Sequence, residues 1–256
     1  PADRSEFPDD CMIDFDMKLI DLFDEMDKKH LKGKDHIRME YFRIRELLEK
    51  VPSRVELFTY MDDDVYQMAI THPKENPFKR YLDFLMELEE LSEKELKLCQ
   101  GIGKEFVSVL ENTNMSKVYK MPVLMAFYNG GEVRMEVTEE ELLKSWKEFF
   151  STGTNWKDLE TSITYEKYKR ISDKQHLKKI MQMPVRFLKK SGEDFFVEKK
   201  GAALALREEL REIIGRPGFA EQMKDVIMYR TLSNEVQFKR IIACPGEWIG
   251  ITDDNQ

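Results

Sequence analysis

The clearest pattern along the chain is an apolar run of helix length, Tyr119–Phe127, with Tyr119, Val123 and Phe127 at i, i+4 and i+8. It stops at Gly130-Gly131. Val133, Met135 and Val137 then alternate with Arg134 and Glu136, which is the period of a strand. Thr138 follows as an N-cap for a helix over Glu139–Phe150, with acids in its first turn and Lys144 and Lys147 later, as the helix dipole favours. Helix, strand, helix in this order suits part of a winged-helix unit.

Residues 36–114 read as helices throughout. Met39–Glu49 carries Phe42, Leu47 and Leu48, and Pro52 stops it. Ser53 caps Val55–Met61, Pro73 and Pro77 break a loop, and Phe78–Glu90 places Tyr81, Leu82, Leu85 and Leu88 on one face. Ser92 with Glu95 forms a capping box, and Ile102–Glu111 closes the unit. The order suits a helix-turn-helix-like module, and equally a plain helical bundle. Ahead of it, residues 1–35 read as an extended arm over Phe7–Phe15, a docking helix over Met17–Met26 and a charged loop up to Lys34.

Residues 115–256 continue the α+β theme. Ser172 or Asp173 caps a helix that runs to Met183, and Pro184 ends it. Val185–Leu188 and Phe195–Val197 flank the polar stretch Lys189–Asp194, which predicts a β-hairpin. Ala203–Ile214 is predicted as a helix ended by Gly215 and Pro217, Phe219–Phe238 as a last long helix, and 249–256 as a frayed tail. The expected fold class is α+β and predominantly α-helical: arm 1–35, helix-turn-helix-like bundle 36–114, and winged-helix-like units with short β-hairpins over 115–256.

Composition changes this picture in one respect. The 256 residues carry a net charge of -8, unevenly spread. Residues 1–100 hold 25 acidic and 16 basic residues, whereas Tyr165–Lys190 holds nine basic residues and two acidic ones. Phosphate attraction is local on the scale of a Debye length, so an acidic chain can still bind DNA through one basic face. Cys11, Cys99 and Cys244 lie far apart and read as reduced thiols. No apolar run approaches the roughly 20 residues that span a bilayer, and no secretory signal follows the start, so no membrane partner and a cytoplasmic setting are expected. The opening Pro1-Ala2-Asp3-Arg4, in place of Met, suggests a piece of a longer protein.

Catalytic chemistry is not legible. There is no GxxxxGK[ST] phosphate loop, and Gln100–Lys104 offers only two glycines. Asp62-Asp63-Asp64 lacks the spacing that makes consecutive carboxylates converge on a cation and reads as a solvated helix end. His30, His36, His72 and His176 match no metal-ligand spacing, although His176 lies in a basic helix and can assist phosphate contacts when protonated. Glu198-Lys199-Lys200 fits half of a metal-dependent nuclease motif, without the Asp that a neighbouring strand must supply. No catalytic and no metal-binding residue is therefore assigned. The positive signal is Lys167, Lys169, Arg170, Lys174, Lys178, Lys179, Arg186, Lys189, Lys190, Lys199 and Lys200. Tyr165, Tyr168 and Phe187 interleave aromatics able to stack on bases. A basic helix plus a basic hairpin grips a phosphate backbone, and reversing Lys178 and Lys179 is expected to weaken binding evenly across sequences. A solvated lysine-rich face is the competing reading.

Four segments carry a resemblance: 7–16 (FPDDCMIDFD), 115–127 (MSKVYKMPVLMAF), 183–188 (MPVRFL) and 219–230 (FAEQMKDVIMYR). Together they resemble the C-terminal regions of bacterial superfamily 2 (DEAD/DEAH-type) DNA helicases. The resemblance implies an ATP-driven motor in cis, with ATP and Mg bound outside these residues and no cofactor within them. The expected role is an accessory DNA-binding region. A scaffold that docks the motor or a partner is the alternative, and a metal-dependent nuclease the third.

Overall fold

The structure is a computed structural model that describes residues 33–114, 117–160, 162–216 and 218–235. The expected arm, docking helix and tail, with His30, Cys11, Cys244 and Pro217, lie outside the described residues. The described chain is mainly helical with a few short antiparallel strands in two small sheets. Its described residues fall into two units, one within 33–52 and 60–75 and the other within 53–59 and 76–235.

In the first unit, α1 (Gly33–Leu48) packs on α3 (Asp63–Thr71). α1 begins earlier than its apolar pattern suggests, taking in Gly33 and Lys34 of the expected loop. No helix is expected over Asp63–Thr71, where the three aspartates read as a solvated helix end. Asp62 instead serves as the N-cap, its carboxylate accepting from the Asp64 N–H at 2.9 Å, and Asp63 and Asp64 occupy the dipole-favoured first turn.

The second unit opens with α2 (Arg54–Tyr60), where Ser53 and Glu56 cap reciprocally at 3.2 and 2.8 Å. Next come α4 (Tyr81–Glu87), shorter at both ends than the expected 78–90, then α5 (Glu93–Leu98) with the Ser92–Glu95 capping box, and α6 (Gly101–Asn112). α7 (Lys120–Phe127) is the apolar run; seven of its eight residues are buried, as a helix apolar all round requires. Gly130 and Gly131 follow, at φ +58° and +101°. They form the two-residue turn joining β1 (Tyr128–Asn129) to β2 (Glu132–Val133), and positive φ at both turn positions is what glycine supplies without strain.

The expected strand 133–137 is split between two sheets. β3 (Glu136–Val137) pairs not with β1 but with β5 (Leu204–Leu206), which is also paired to β4 (Phe196–Val197), giving the order β3-β5-β4. Between β3 and β4 lie α8 (Glu139–Ser151), with its Thr138–Glu141 capping box, α9 (Tyr165–Lys169), and a helical stretch from Asp173 to Ser191. α12 (Arg211–Ile214) and α13 (Phe219–Glu235) end the described chain, α13 packing on α6 and α7. Residues 236–238 of the expected last helix lie outside the description. Phe106 centres an aromatic core with Phe195, Phe196 and Phe219, while Trp146, Tyr119 and Phe150 form a second cluster.

Three expectations fail in this region. Pro184 does not end its helix, residues 185–188 are helical and not a strand, and 203–214 is not one helix. Leu204–Leu206 is buried on every residue and bonded on both edges, so tertiary pairing overrides the helical propensity of Leu-Ala-Leu. The hairpin exists, but it joins β4 to β5 through residues 198–203.

Candidate nucleic-acid interface

A continuous helical rod carries most of the basic signal. α10 (Asp173–Ile180) starts at the Ser172–Gln175 capping box. A π-turn over Met181–Val185 leads directly into α11 (Arg186–Ser191), with right-handed helical dihedrals at both junctions. Proline has no N–H and its ring crowds the carbonyl four residues back; the wider π-turn makes room for Pro184 without ending the helix. Ile180 before the proline, and Val185 and Leu188 after it, dock in the core, so the rod is held on both sides of the proline.

The π-turn has a consequence for charge. In an unbroken α-helix, positions 174, 178, 182, 186 and 190 drift by ~40° per step, about 160° in all. The wider turn takes back roughly half of that drift. Lys174, Lys178, Gln182, Arg186 and Lys190 thus form one stripe, and all five are exposed. At ~1.5 Å rise per residue the stripe is about 24 Å long. No acidic residue occurs between Lys174 and Lys190.

The remaining cations divide. Lys167, Lys169 and Arg170 are exposed on and just after α9, with Lys169 Nζ 4.2 Å from the Tyr165 ring centre. Lys200 is exposed in the 198–203 loop. Lys189 is paired with Glu198 at 2.6 Å, and Lys199 with Glu136 at 2.7 Å. Lys179 leaves the interface altogether: its Nζ donates to the Leu159 carbonyl and lies 5.3 Å from the Tyr119 ring centre. Burial holds its ammonium below the ordinary lysine value. Glu198, the nuclease candidate, lies beyond the end of β4, fully exposed and tied to Lys189, and among the described residues no three metal-ligating side chains converge. Of the aromatics, Tyr165 and Phe187 are exposed while Tyr168 is buried.

His176 is not a surface group either. It is buried under α8, where the Trp146 Nε1–H donates to its Nδ1 at 3.1 Å. Burial, then the Lys147 ammonium, hold the imidazole below its ordinary value, with Asp173 pulling the other way. A depressed histidine favours the folded state above the unfolded value near 6.5 and withdraws that stability as pH falls below it, because only the unfolded chain then takes up the proton. Denaturant unfolding at pH 7.5 and 5.5 should show this loss, and His176→Gln, which keeps an acceptor for Trp146, should reduce it.

Two lysines were missed, Lys117 and Lys120. Lys120 heads an otherwise apolar run, and a cation there was the available signal. Among the described residues no helix is long and apolar enough to cross a membrane. Comparisons of the chain with protein-family models, with curated proteins and with solved structures find no match, so the helicase resemblance rests on its sequence segments alone.

Proposed function

We propose that this chain is an accessory nucleic-acid-binding region of an ATP-dependent DNA helicase. The order α7, β3, α8, the rod, β4 and β5, with β5 central in its sheet, is read as a winged-helix arrangement. The rod is its recognition helix and the 198–203 loop its wing. The observation that carries the reading is the single stripe of exposed cations, free of acids, along the rod. Such a stripe neutralises successive phosphates without reading bases, which suits an enzyme part that must hold any sequence. The motor, its ATP and its Mg belong to the expected parent protein and lie outside these residues.

The test is binding of a mixed-sequence DNA duplex over a salt series. Lys174, Lys178, Arg186 and Lys190 predict a log–log slope of about -3 to -4, at roughly 0.9 per neutralised phosphate. No binding at low salt, or affinity indifferent to salt, contradicts the reading and moves it to a protein-docking scaffold.

A further inference from the structure

The rod ends beside a cavity that no basic stripe requires. Lys120, 7% exposed, donates from Nζ to Thr113 Oγ1 at 2.7 Å and to Ser191 Oγ at 3.2 Å. Both partners are neutral, and an ammonium has three N–H donors, so one remains for an occupant. The neighbouring Arg230 guanidinium is likewise spent on neutral groups, the carbonyls of Glu111 and Thr113. Burial, and then Arg230, hold the Lys120 ammonium below its ordinary value. A buried cation without a counter-charge is costly, and an anion placed against it recovers part of that cost.

The space is there. A cavity of about 510 Å³ is lined by Lys120 with Lys117 and Lys190, and on its apolar side by Met183, Pro184 and Phe187. No Asp or Glu lines it. Its size falls within the ~300–1,000 Å³ range of ligand pockets. Phe187 and Met183 are 40% and 39% exposed, an unusual concession for two large apolar side chains on one helical turn. One wall is cationic and the other apolar and aromatic. A nucleotide divides in the same way, into a phosphate and a base with apolar faces. Lys190 belongs both to the cavity and to the stripe, so a strand lying along the rod runs into the opening.

We propose that this cavity holds one unpaired nucleotide of a single strand, its base against Phe187 and Met183 and its phosphate at Lys120, Lys117 and Lys190. The proposal rests on the nucleic-acid reading of the rod and adds a preference: a base paired in a duplex cannot enter, so single strands bind more tightly.

Anisotropy titrations of the full chain with an oligothymidylate of about 16 nucleotides, and with a duplex of that length, test it. The strand should bind roughly ten-fold more tightly than the duplex, as base–aromatic stacking warrants. Phe187→Ala, at an exposed position, should abolish the difference by weakening the strand, and Phe187→Trp, which keeps a ring beside Arg186, should restore it. Lys120→Met should weaken the strand selectively; Thr113 and Ser191 keep each other as partners at 3.4 Å, so its circular dichroism should stay that of the wild type. Strand affinity unmoved by Phe187→Ala, or both affinities falling together, overturns the nucleotide site while leaving the rod intact. Failure of both nucleic acids to bind removes the rod reading and the site with it.

Discussion

Arg54→Met should cost about 3–5 kcal/mol of unfolding free energy, the largest single-residue effect expected in this chain. Arg54 is fully buried. Its guanidinium meets Glu111 at 2.6 Å, Asp225 at 3.0 Å and the Gln222 side-chain oxygen at 2.7 Å, and lies 4.7 Å from the Tyr81 ring centre. Burial holds the Glu111 carboxyl above the usual carboxylate range, against the pull of Arg54. Without the guanidinium, Glu111 keeps only the Tyr81 N–H, at 3.2 Å, and becomes an uncompensated buried acid. Asp225 suffers less, because it also caps α2 through the backbone N–H groups of Arg54 and Val55. The loss therefore belongs mainly to Glu111, and adding Glu111→Leu to Arg54→Met should recover most of it. Urea unfolding of the three variants decides: equal stability of the single and double variants refutes this assignment.

Lys174→Glu with Lys178→Glu should lower DNA affinity evenly across sequences and flatten the salt slope by about two units. Both side chains are exposed and four residues apart on one face of α10, with no ion pair to lose, so folding should be almost untouched. The pair Lys178 and Lys179, which the sequence suggests, is the wrong choice. Lys179 braces the Leu159 carbonyl, and reversing it would confound binding with stability. Reversing Lys144 and Lys94 on other exposed surfaces changes net charge equally and should weaken binding far less.

Local signals proved legible where the chemistry is local. The box at Ser92 forms as expected, and the caps expected at Thr138 and at Ser172 or Asp173 turn out to be boxes on Thr138 and Ser172, each needing only a hydroxyl and a Glu or Gln three residues on. The apolar run and its Gly-Gly turn likewise carry their own instructions. Pro184 does not: one proline says that a helix must adjust, and the docking of Val185 and Leu188 decides that it adjusts by a π-turn. Leu204–Leu206 is a strand only because two partner strands reach it, β3 with Val137 opposite Leu204 and β4 with Val197 opposite Ala205. The candidate site shows the same division. The exposed stripe follows from the sequence once the rod is known, whereas nothing near Lys179, Lys189 or Lys199 marks them as occupied, and nothing near Lys120 marks it as buried beside a cavity.

The most direct test of the central claim is position-specific photocrosslinking. A benzoylphenylalanine placed at Lys178 on the rod, at Lys200 in the wing loop and at Lys144 on α8 reports which surface lies against bound DNA. All three positions are exposed, so each variant should fold. Crosslinks from 178 and 200 that vanish at high salt, with none from 144, are the predicted result. Equal crosslinking from all three positions, or crosslinks from 144 alone, would contradict it.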